Sequence, residues 1–320
     1  MRASTVVAAL AAAGPLTVVA QNPHALGAQL GFALGTKLPS GACKYTNDYE
    51  KDFDAISAQT GSKIVRGYSA SDCNFAQQIL PAAQNRGFQV ILGIWPDEPS
   101  SFDADNSAVQ QYANQYASAV YAVTVGSETL YRGNFTGAEL LQKINTVKSG
   151  LPSHIKVGTA DSWNKYADGT ADALVTGGVD ILLINAFAYW QGETVDQATG
   201  SHNVYFDDMS QAISHVQQLA GSTTSIEIWN GETGWPTTGG TPYGPAQANT
   251  SWAAEYYAKS VCGMLAWGVN VFYFEAFDES WKPASVGDNG QPEDEKHWGA
   301  MDDQRNLKPG FSLKCNYLDW

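Results

Sequence analysis

Two glutamates stand at the carboxyl ends of apolar, strand-like runs that lie far apart in the sequence. Glu128 ends the run VTVGSE, and Glu232 follows Gly231 in the run EIWNGETGWP. Apolar strands seldom end in an acid that has no partner, so both positions point to chemistry. Two carboxyl groups at the floor of a cleft could cleave a glycosidic bond, because one protonates the leaving oxygen while the other attacks or stabilises the sugar carbon. We therefore expect Glu128 and Glu232 to converge on one pocket.

Each glutamate also has a purely structural interpretation. Ser127 and Glu128 could be a helix N-cap followed by a first-turn acid that stabilises the helix dipole. Glu232 could instead close a turn between two glycines. Strand alternation predicts that Glu232 points inward if Ile226 and Ile228 do, provided that no bulge intervenes. These alternatives stay open on the sequence alone.

Other strand-like runs end in aromatic and polar residues. The flat C–H faces of a sugar ring pack on Trp and Tyr, whereas its hydroxyls bind carboxylates and amides. The candidate substrate-binding residues at these ends are Tyr68, Trp95, Asp161, Asn185, Tyr189 and Trp235, with Trp163 and Trp190 as further aromatic platforms. Arg66, in the run IVRGY, is better explained as the ion-pair partner of an inward acid, and it could hold Glu232 ionised.

The elements that must position these residues alternate along the chain. Eight apolar, β-rich runs recur with helical patterns between them, and the capping box Thr136 to Glu139 opens one of the helices. Such alternation is what a parallel sheet with crossover helices requires. The glycine-rich motifs of dinucleotide and nucleotide sites are absent, which argues against an open doubly wound sheet. We predict an α/β fold, a single (β/α)8 barrel over residues 21–320, with its chemistry at the carboxyl ends of the strands.

The first 20 residues have the pattern of a secretory signal peptide. One basic residue precedes an apolar run, and small residues offer a cleavage point after Ala20. The alternative, a membrane anchor, is disfavoured because Gly14 and Pro15 divide the apolar run. No later segment is long and apolar enough to cross a bilayer, so we expect a secreted, extracellular protein.

The cysteines agree with an oxidising compartment. The chain has four, which allow three pairings, and the local pairs Cys43–Cys73 and Cys262–Cys315 are favoured because each ties a terminal region to the body. No cysteine pair has metal-ligand spacing, no HExxH or GxSxG motif is present, and we expect no metal and no cofactor. Asn134 and Asn249 begin glycosylation sequons.

The charge of the chain limits its partners. A formal net charge of -14 at pH 7 makes a nucleic-acid partner improbable, because phosphate backbones are bound by clustered Lys and Arg. A neutral ligand fits better. We expect the protein to act as a monomer.

Several motifs, taken together and in order, resemble glycoside hydrolase family 17. They are VGSE at 125–128, GETGWP at 231–236, FDESWK at 277–282 and EKHWG at 295–299, and the likeness extends over nearly all of residues 21–320. It is strongest to the fungal cell-wall β-1,3-glucanases and β-1,3-glucanosyltransferases. The resemblance implies a (β/α)8 barrel and a retaining mechanism, in which Glu128 is the acid/base and Glu232 the nucleophile. It also implies β-1,3-glucan as substrate and a cell-wall location.

The resemblance extends to residues around the two acids. Arg66 and Tyr68 match an Arg-x-Tyr motif, Tyr189 matches an aromatic residue after a strand, and Glu279 with Lys282 matches a Glu-x-x-Lys pair. Glu295 matches a further cleft acid. Plant members carry Asn immediately before the acid/base, where this chain has Ser127. A hydrogen bond from that position to the sugar 2-hydroxyl is therefore expected to be weaker or differently made.

The implied reaction is cleavage of internal β-1,3-glucosidic bonds through a glycosyl-enzyme intermediate. Because water and a second glucan chain can both discharge that intermediate, the sequence leaves hydrolysis and transfer undecided. Two other functions remain as alternatives. One is a non-catalytic glucan-binding wall protein that kept the barrel, and the other is a glycosidase that acts on β-1,4-glucan or mannan.

Overall fold

Eight parallel strands form a closed barrel in this computed structural model, which describes residues 28–239, 242–286, 290 and 292–315. Each strand pairs with the next one along the chain, and the eighth pairs with the first. This confirms the predicted (β/α)8 fold. The signal peptide predicted at residues 1–20 lies outside the described residues, and the boundary at residue 21 stays a prediction.

The barrel strands are short, as expected for buried parallel strands covered by helices. They are β1 Leu30–Ala33, β2 Ile64–Arg66, β3 Gln89–Ile94, β4 Val120–Ser127, β5 Lys156–Ser162, β6 Ile181–Asn185, β7 Glu227–Thr233 and β8 Asn270–Tyr273. After β8, the strands β9 Ser285–Val286 and β10 Pro292–Glu293 form a small antiparallel pair. All eight carboxyl ends of the barrel strands open on one pole of the molecule.

Helices follow the strands and cover the outside of the barrel. They are α1 Thr46–Thr60, α2 Phe75–Arg86, α3 Pro99–Gln115, α4 Gly137–Lys148, α5 Trp163–Ala167, α6 Asp172–Thr176, α7 Val195–Thr199, α8 Val204–Ala220, α9 Thr250–Tyr256 and α10 Cys262–Ala266. A π-helical turn, Tyr257–Val261, joins α9 to α10. The predicted capping box is present, because the Thr136 side chain accepts from the Glu139 amide and the Glu139 carboxylate accepts from the Thr136 amide.

Two separate sets of apolar side chains fill the fold. Inside the barrel, strand residues pack against one another: Ile64, Ile91, Ala122, Ala160, Ile181, Leu183, Trp229 and Phe272. A larger set lies between the strands and the surrounding helices and includes Val65, Val90, Leu92, Val123, Val125, Ile184 and Val271. The strands are apolar on both faces for this reason, and their amino-acid runs therefore read as continuously hydrophobic.

Two disulfide bonds join loops to the barrel, in the pairing that the sequence favoured. Cys43, after β1, is bonded to Cys73 in the short 3-10 turn Asp72–Asn74, with a Cα–Cα distance of 5.3 Å. Cys262, in α10, is bonded to Cys315 with a Cα–Cα distance of 5.4 Å. Within the described part of the chain, no helix has the length and apolar character needed to cross a membrane.

Candidate active site

A β-bulge sets the position of Glu232 on β7. Ile184 and Asn185 are adjacent on β6, yet their partners on β7 are Asn230 and Glu232, so Gly231 is an extra residue in β7. A Cβ atom at Gly231 would lie 2.6 Å from the Asn185 Oδ1 atom, which is too close for any other residue. The glycine in the GETGWP motif is therefore needed to make the bulge.

The bulge also determines which way Glu232 points. Ile226 and Ile228 pack in the outer layer against the helices, whereas Trp229 faces the barrel interior. Regular alternation from these residues would turn Glu232 outward, and the extra residue Gly231 returns it to the interior. The sequence expectation is conditional on inward isoleucines and an unbulged strand; neither condition holds, and Glu232 faces the interior because of the bulge.

Glu128 also follows an irregular strand end. The pairing of β4 with β5 shifts between Thr124 and Ser127. Glu128 has a φ of +57°, a left-handed conformation that costs a residue with a side chain about 1 to 2 kcal/mol. It is not in the first turn of a helix, because α4 begins at Gly137. The helix-cap interpretation is therefore wrong, and strain of this kind is typical of functional sites.

Asp161 holds the turn that follows Glu128. Its buried carboxylate accepts hydrogen bonds from the backbone amides of Leu130, 2.8 Å away, and Tyr131, 3.1 Å away. Burial raises the pKa of Asp161 to about 6, although these amide hydrogen bonds oppose the shift. The structure thus places Asp161 behind the loop, where it acts as a support.

Arg66 and Asn185 connect the two glutamates. The fully buried Arg66 guanidinium lies 3.1 Å from Glu232 Oε1 and donates to the Gly231 carbonyl at 2.8 Å. The Asn185 amide donates to Glu128 Oε1 at 3.1 Å, and Asn185 is also the strand partner of Glu232. Both acids therefore lie at one end of the barrel, in one polar network.

Burial dominates the protonation of both glutamates. It raises the pKa of Glu232 to about 7, with the charge of Glu128 adding to the shift and Arg66 opposing it. Burial raises the pKa of Glu128 as well, against the opposing effects of Asn185, Arg132 and Arg66. Arg66 thus favours the ionised form of Glu232, in the direction expected, but does not cancel the effect of burial.

A cleft of about 380 Å³ runs from Glu128 along the carboxyl end of the barrel. This volume is within the usual range for small-molecule sites. Its lining combines aromatic rings with hydroxyl-binding groups: Glu128, Tyr131, Arg132, Ser162, Trp163, Asn164, Asn185, Phe187, Trp190, Gln191, Tyr243, Glu293 and Glu295. Of the predicted residues, the structure brings Glu128, Asn185 and Glu295 together with the two platforms Trp163 and Trp190. A cleft with this lining suits a neutral, hydroxyl-rich ligand.

Lys282 gathers three carboxylates at the end of β8. Its ammonium lies 3.0 Å from Glu275, 3.2 Å from Glu279 and 3.9 Å from Glu295. Burial, together with the charge of Glu279, raises the pKa of Glu275 well above its usual value, although Lys282 opposes the shift. The predicted residues Glu279, Lys282 and Glu295 therefore share one charged cluster with Glu275.

Several predicted residues lie behind the cleft surface. Trp235 is fully buried, and its indole N–H donates to the Gln247 carbonyl at 2.9 Å. Tyr189 is also buried, between Trp190 and Trp235, with ring centroids 5.0 and 5.1 Å away. These two rings support the platform Trp190 and do not themselves form the cleft wall.

Trp95, Tyr68 and Ser127 lie beside charged groups near the site. The Arg132 guanidinium covers the Trp95 ring, 4.8 Å from its centroid, and also donates to the Ser127 carbonyl at 2.7 Å. Arg66 lies 4.9 Å from the centroid of the Tyr68 ring. Sequence reasoning missed Arg132, because nothing in its exposed turn distinguishes it before the loops are folded together.

No metal centre is found in this site. Within the described residues there is no group of three or more His, Cys, Asp or Glu side chains placed to hold a metal ion.

Comparison with known proteins shows relatives over almost the whole chain. The family model described as the BtgE/BtgC glycoside hydrolase domain matches residues 31–299. A glucan 1,3-beta-glucosidase of Arthroderma benhamiae is 51% identical over 98% of each chain. A glucan 1,3-beta-glucosidase of Saccharomyces cerevisiae is 40% identical over 99% of this chain and 100% of its own.

Solved structures also match most of the chain. The glycoside hydrolase family 17 beta-1,3-glucanosyltransferase of Rhizomucor miehei is 31% identical, with a TM-score of 0.73 over 89% of this chain and 97% of its own. An active-site mutant of the Rhizomucor miehei beta-1,3-glucanosyltransferase, in complex with laminaritriose, matches with the same TM-score and 30% identity. An endo-laminarinase from Formosa is 17% identical and shares the fold.

Proposed function

The chain belongs to the BtgE/BtgC glycoside hydrolase family, and we propose that it cleaves β-1,3-glucosidic bonds of cell-wall glucan by a double displacement at Glu128 and Glu232. One observation carries the proposal: the two acids lie in one network, joined through Arg66 and Asn185 at the carboxyl end of the barrel. The names of the relatives support the substrate, since they are glucan 1,3-beta-glucosidases and a β-1,3-glucanosyltransferase.

In the first step, a Glu232 oxygen attacks the anomeric carbon. The glycosidic C–O bond breaks, and its oxygen takes the proton of Glu128. The product of this step is a glycosyl ester of Glu232. In the second step, Glu128 takes a proton from water or from a sugar hydroxyl, whose oxygen attacks the anomeric carbon and releases the Glu232 carboxylate. Both steps balance without a cofactor.

This mechanism requires one proton on the pair of acids at the start. Glu128 must carry it, and Glu232 must be ionised. The arrangement favours that state, because Arg66 contacts Glu232 directly whereas Asn185 gives Glu128 only a neutral donor. The remaining groups of the proposed site have supporting roles: Glu279, Lys282 and Glu295 bind sugar hydroxyls beside the aromatic platforms, and Arg66 and Tyr68 flank the nucleophile.

Transfer to a second glucan chain is part of the proposal. The cleft beyond Glu128 offers aromatic surfaces, Trp163 and Trp190, on which an acceptor sugar could compete with water. Analysis of the products from a reduced laminari-oligosaccharide decides between the two outcomes, because products longer than the substrate demonstrate transfer.

The location of the protein is proposed on the same basis. Two disulfides agree with an oxidising compartment, and the related proteins are named as glucan 1,3-beta-glucosidases, whose substrate is a polymer of the kind found in cell walls. Asn134 and Asn249 are both exposed, which suits glycosylation at these sequons. We therefore infer a secreted, monomeric, cell-wall enzyme, with its signal peptide removed.

Replacement of either acid tests the mechanism. Glu128→Gln and Glu232→Gln should each lower turnover of laminarin by at least about 100-fold, since each removes a proton transfer or a nucleophile. Glu255→Gln, on the exposed side of α9, is the matched control and should keep full activity. Substantial activity in either site variant would refute its assigned role. Parallel assays on lichenan and mannan test the alternative substrates, and a wild-type protein that releases no sugar from laminarin would favour a binding protein.

A further inference from the structure

Asp208 is a buried carboxylate that the mechanism above does not use. It lies in the first turns of α8 and is 3% exposed, and within the described residues no Lys or Arg contacts it. Its partner is an amide: Gln191 Nε2 donates to Asp208 Oδ2 at 2.5 Å. Carboxylates are rarely buried without a cation, because burial disfavours the charged form. A specific reason to keep Asp208 is therefore required.

A second hydrogen bond fixes the orientation of the Gln191 side-chain amide. The same Nε2 group donates to the Phe187 carbonyl at 3.3 Å. With two acceptors on the NH2 side, the Oε1 atom must face away from both, and no donor from the described part of the chain contacts it. Gln191 is exposed and lines the cleft beside Trp190 and Tyr243. The amide thus presents a free hydrogen-bond acceptor to whatever occupies the cleft.

The proposed roles of the two acids indicate which sugar binds in the cleft. The cleft is lined by Glu128, the proposed proton donor to the leaving sugar, and not by Glu232. The leaving sugar, and later the acceptor, must bind where Glu128 can reach its oxygen. The wall that carries Gln191 therefore belongs to the acceptor side.

We propose that Gln191 accepts a hydrogen bond from a hydroxyl of the acceptor sugar, and that Asp208 is the positioning residue that holds the Gln191 amide in this orientation. The inference rests on the proposed function. Its consequence is a higher ratio of transfer to hydrolysis, because the acceptor sugar gains one hydrogen bond from the pair whereas an attacking water needs no contact with Gln191. The leaving sugar binds on the same side of the cleft, so the ratio, and not the rate of donor cleavage, is the diagnostic quantity.

The surroundings of Asp208 make the effect depend on pH. Burial, opposed by the Gln191 hydrogen bond and aided by the charges of Asp207 and Glu193, raises the pKa of Asp208 to about 7. Tyr256, on α9, also lies within electrostatic range. Charged groups on the other helices packed against α8 have their own partners or lie in exposed positions: Lys165 binds Asp168, Asp172 binds His215, and Asp196 is exposed. Ionised Asp208 accepts a stronger hydrogen bond from the Gln191 amide than protonated Asp208 does. The ratio of transfer to hydrolysis should therefore rise between about pH 6 and pH 8.

The test measures this ratio for full-length protein, with reduced laminaripentaose as donor and laminaribiose as added acceptor. Gln191→Leu should lower the ratio roughly three- to tenfold, the value of one hydrogen bond, whatever its effect on the rate of donor cleavage. Asp208→Asn should lower the ratio at pH 8 and remove its pH dependence. Asp207→Asn, one residue away and exposed, is the matched control: it should keep the ratio at pH 8 and keep a pH dependence, with the midpoint at slightly lower pH because a charge that raises the pKa of Asp208 is lost.

Each other outcome counts against the inference. An unchanged ratio in Gln191→Leu overturns it, as does a wild-type enzyme that cleaves the donor but never transfers. If Asp208→Asn loses both products equally and melts at a lower temperature, Asp208 is structural and the positioning role is refuted. Failure of the proposed function is distinguishable, since it appears as no donor cleavage by the wild type. The ratio is insensitive to Glu128 and Glu232, because hydrolysis and transfer share both residues.

Discussion

The two ends of β7 carry the same residue type in opposite electrostatic situations. At the amino end, Glu227 accepts hydrogen bonds from Lys156, Tyr121 and Trp229. Burial alone would raise its pKa, but these three donors outweigh burial and lower it. At the carboxyl end, Arg66 opposes burial less completely, and the pKa of Glu232 is raised to about 7.

The difference separates a structural acid from a reactive one. Glu227 is fully satisfied within the fold, so its charge is stabilised before any ligand binds. Glu232 is buried with incomplete compensation, and its proton can therefore be exchanged near neutral pH. Barrel enzymes divide their two ends in this way, with stability at the amino pole and chemistry at the carboxyl pole. Substitutions at matched positions of the two poles can test this division.

The largest effect is expected from Gly231→Ala. A Cβ at this bulge would meet the Asn185 Oδ1 atom at 2.6 Å and the Leu183 side chain at 2.8 Å, so β7 or β6 must move. A displacement of about 1 Å at Glu232 is expected to lower kcat about 100-fold. Steady-state kinetics on laminarin measure this loss.

Gly61→Ala is the control for that variant at the opposite pole. Gly61 ends α1 with a φ of +74° and has open space where a Cβ would lie. Alanine there should cost about 1 kcal/mol of stability and leave kcat unchanged. A Gly231→Ala enzyme with wild-type kcat would show that the bulge does not position the nucleophile.

A smaller, structural effect is expected from Glu227→Gln. This change removes the charge on which Lys156 and Tyr121 converge, and it should lower the free energy of unfolding by about 1 to 3 kcal/mol at pH 7. Because the folded pKa of Glu227 is lowered, its contribution is fully present above the unfolded pKa of about 4.3 and is lost progressively as pH falls from there through the lower folded pKa. Urea unfolding should therefore show a larger difference between variant and wild type at pH 7 than at pH 3.5. A large loss of kcat in the folded variant would contradict the division between the poles.

The sequence predicts the parts of this molecule that depend on local pattern. Eight apolar runs with helices between them are enough to indicate the barrel, and acids at strand ends single out Glu128 and Glu232, whose catalytic roles stay a prediction. The Cys43–Cys73 pairing also follows from short-range reasoning. These features can be predicted because hydrophobic periodicity and the position of polar residues at strand ends depend on residues that are neighbours in the sequence.

The rest depends on contacts between distant segments. The bulge at Gly231 becomes visible only when β6 and β7 are paired, and alternation alone would turn Glu232 outward. Trp190 and Trp235 are both tryptophans that follow a strand end. Trp235 is buried beside Tyr189, whereas Trp190 lines the cleft. Sequence reasoning cannot separate such pairs, because burial in a loop region is decided by neighbouring loops.

The smallest effect is a shift in the pH profile, and it tests how Arg66 acts on Glu232. The nucleophile must be ionised, so kcat/KM should fall as pH decreases through about 7, the pKa of Glu232. Arg66→Gln removes the opposing charge and should move this acid limb to higher pH, whereas Arg66→Lys keeps a charge and should move it less. Asp208→Asn separates the two acids, since Asp208 titrates in the same range but acts only through sugar binding at the acceptor side. This variant should change the height of the profile and leave the acid limb in place. If the limb stays in place in Arg66→Gln, a group other than Glu232 controls it; if it disappears in Asp208→Asn, the buried acid behind Gln191 controls it.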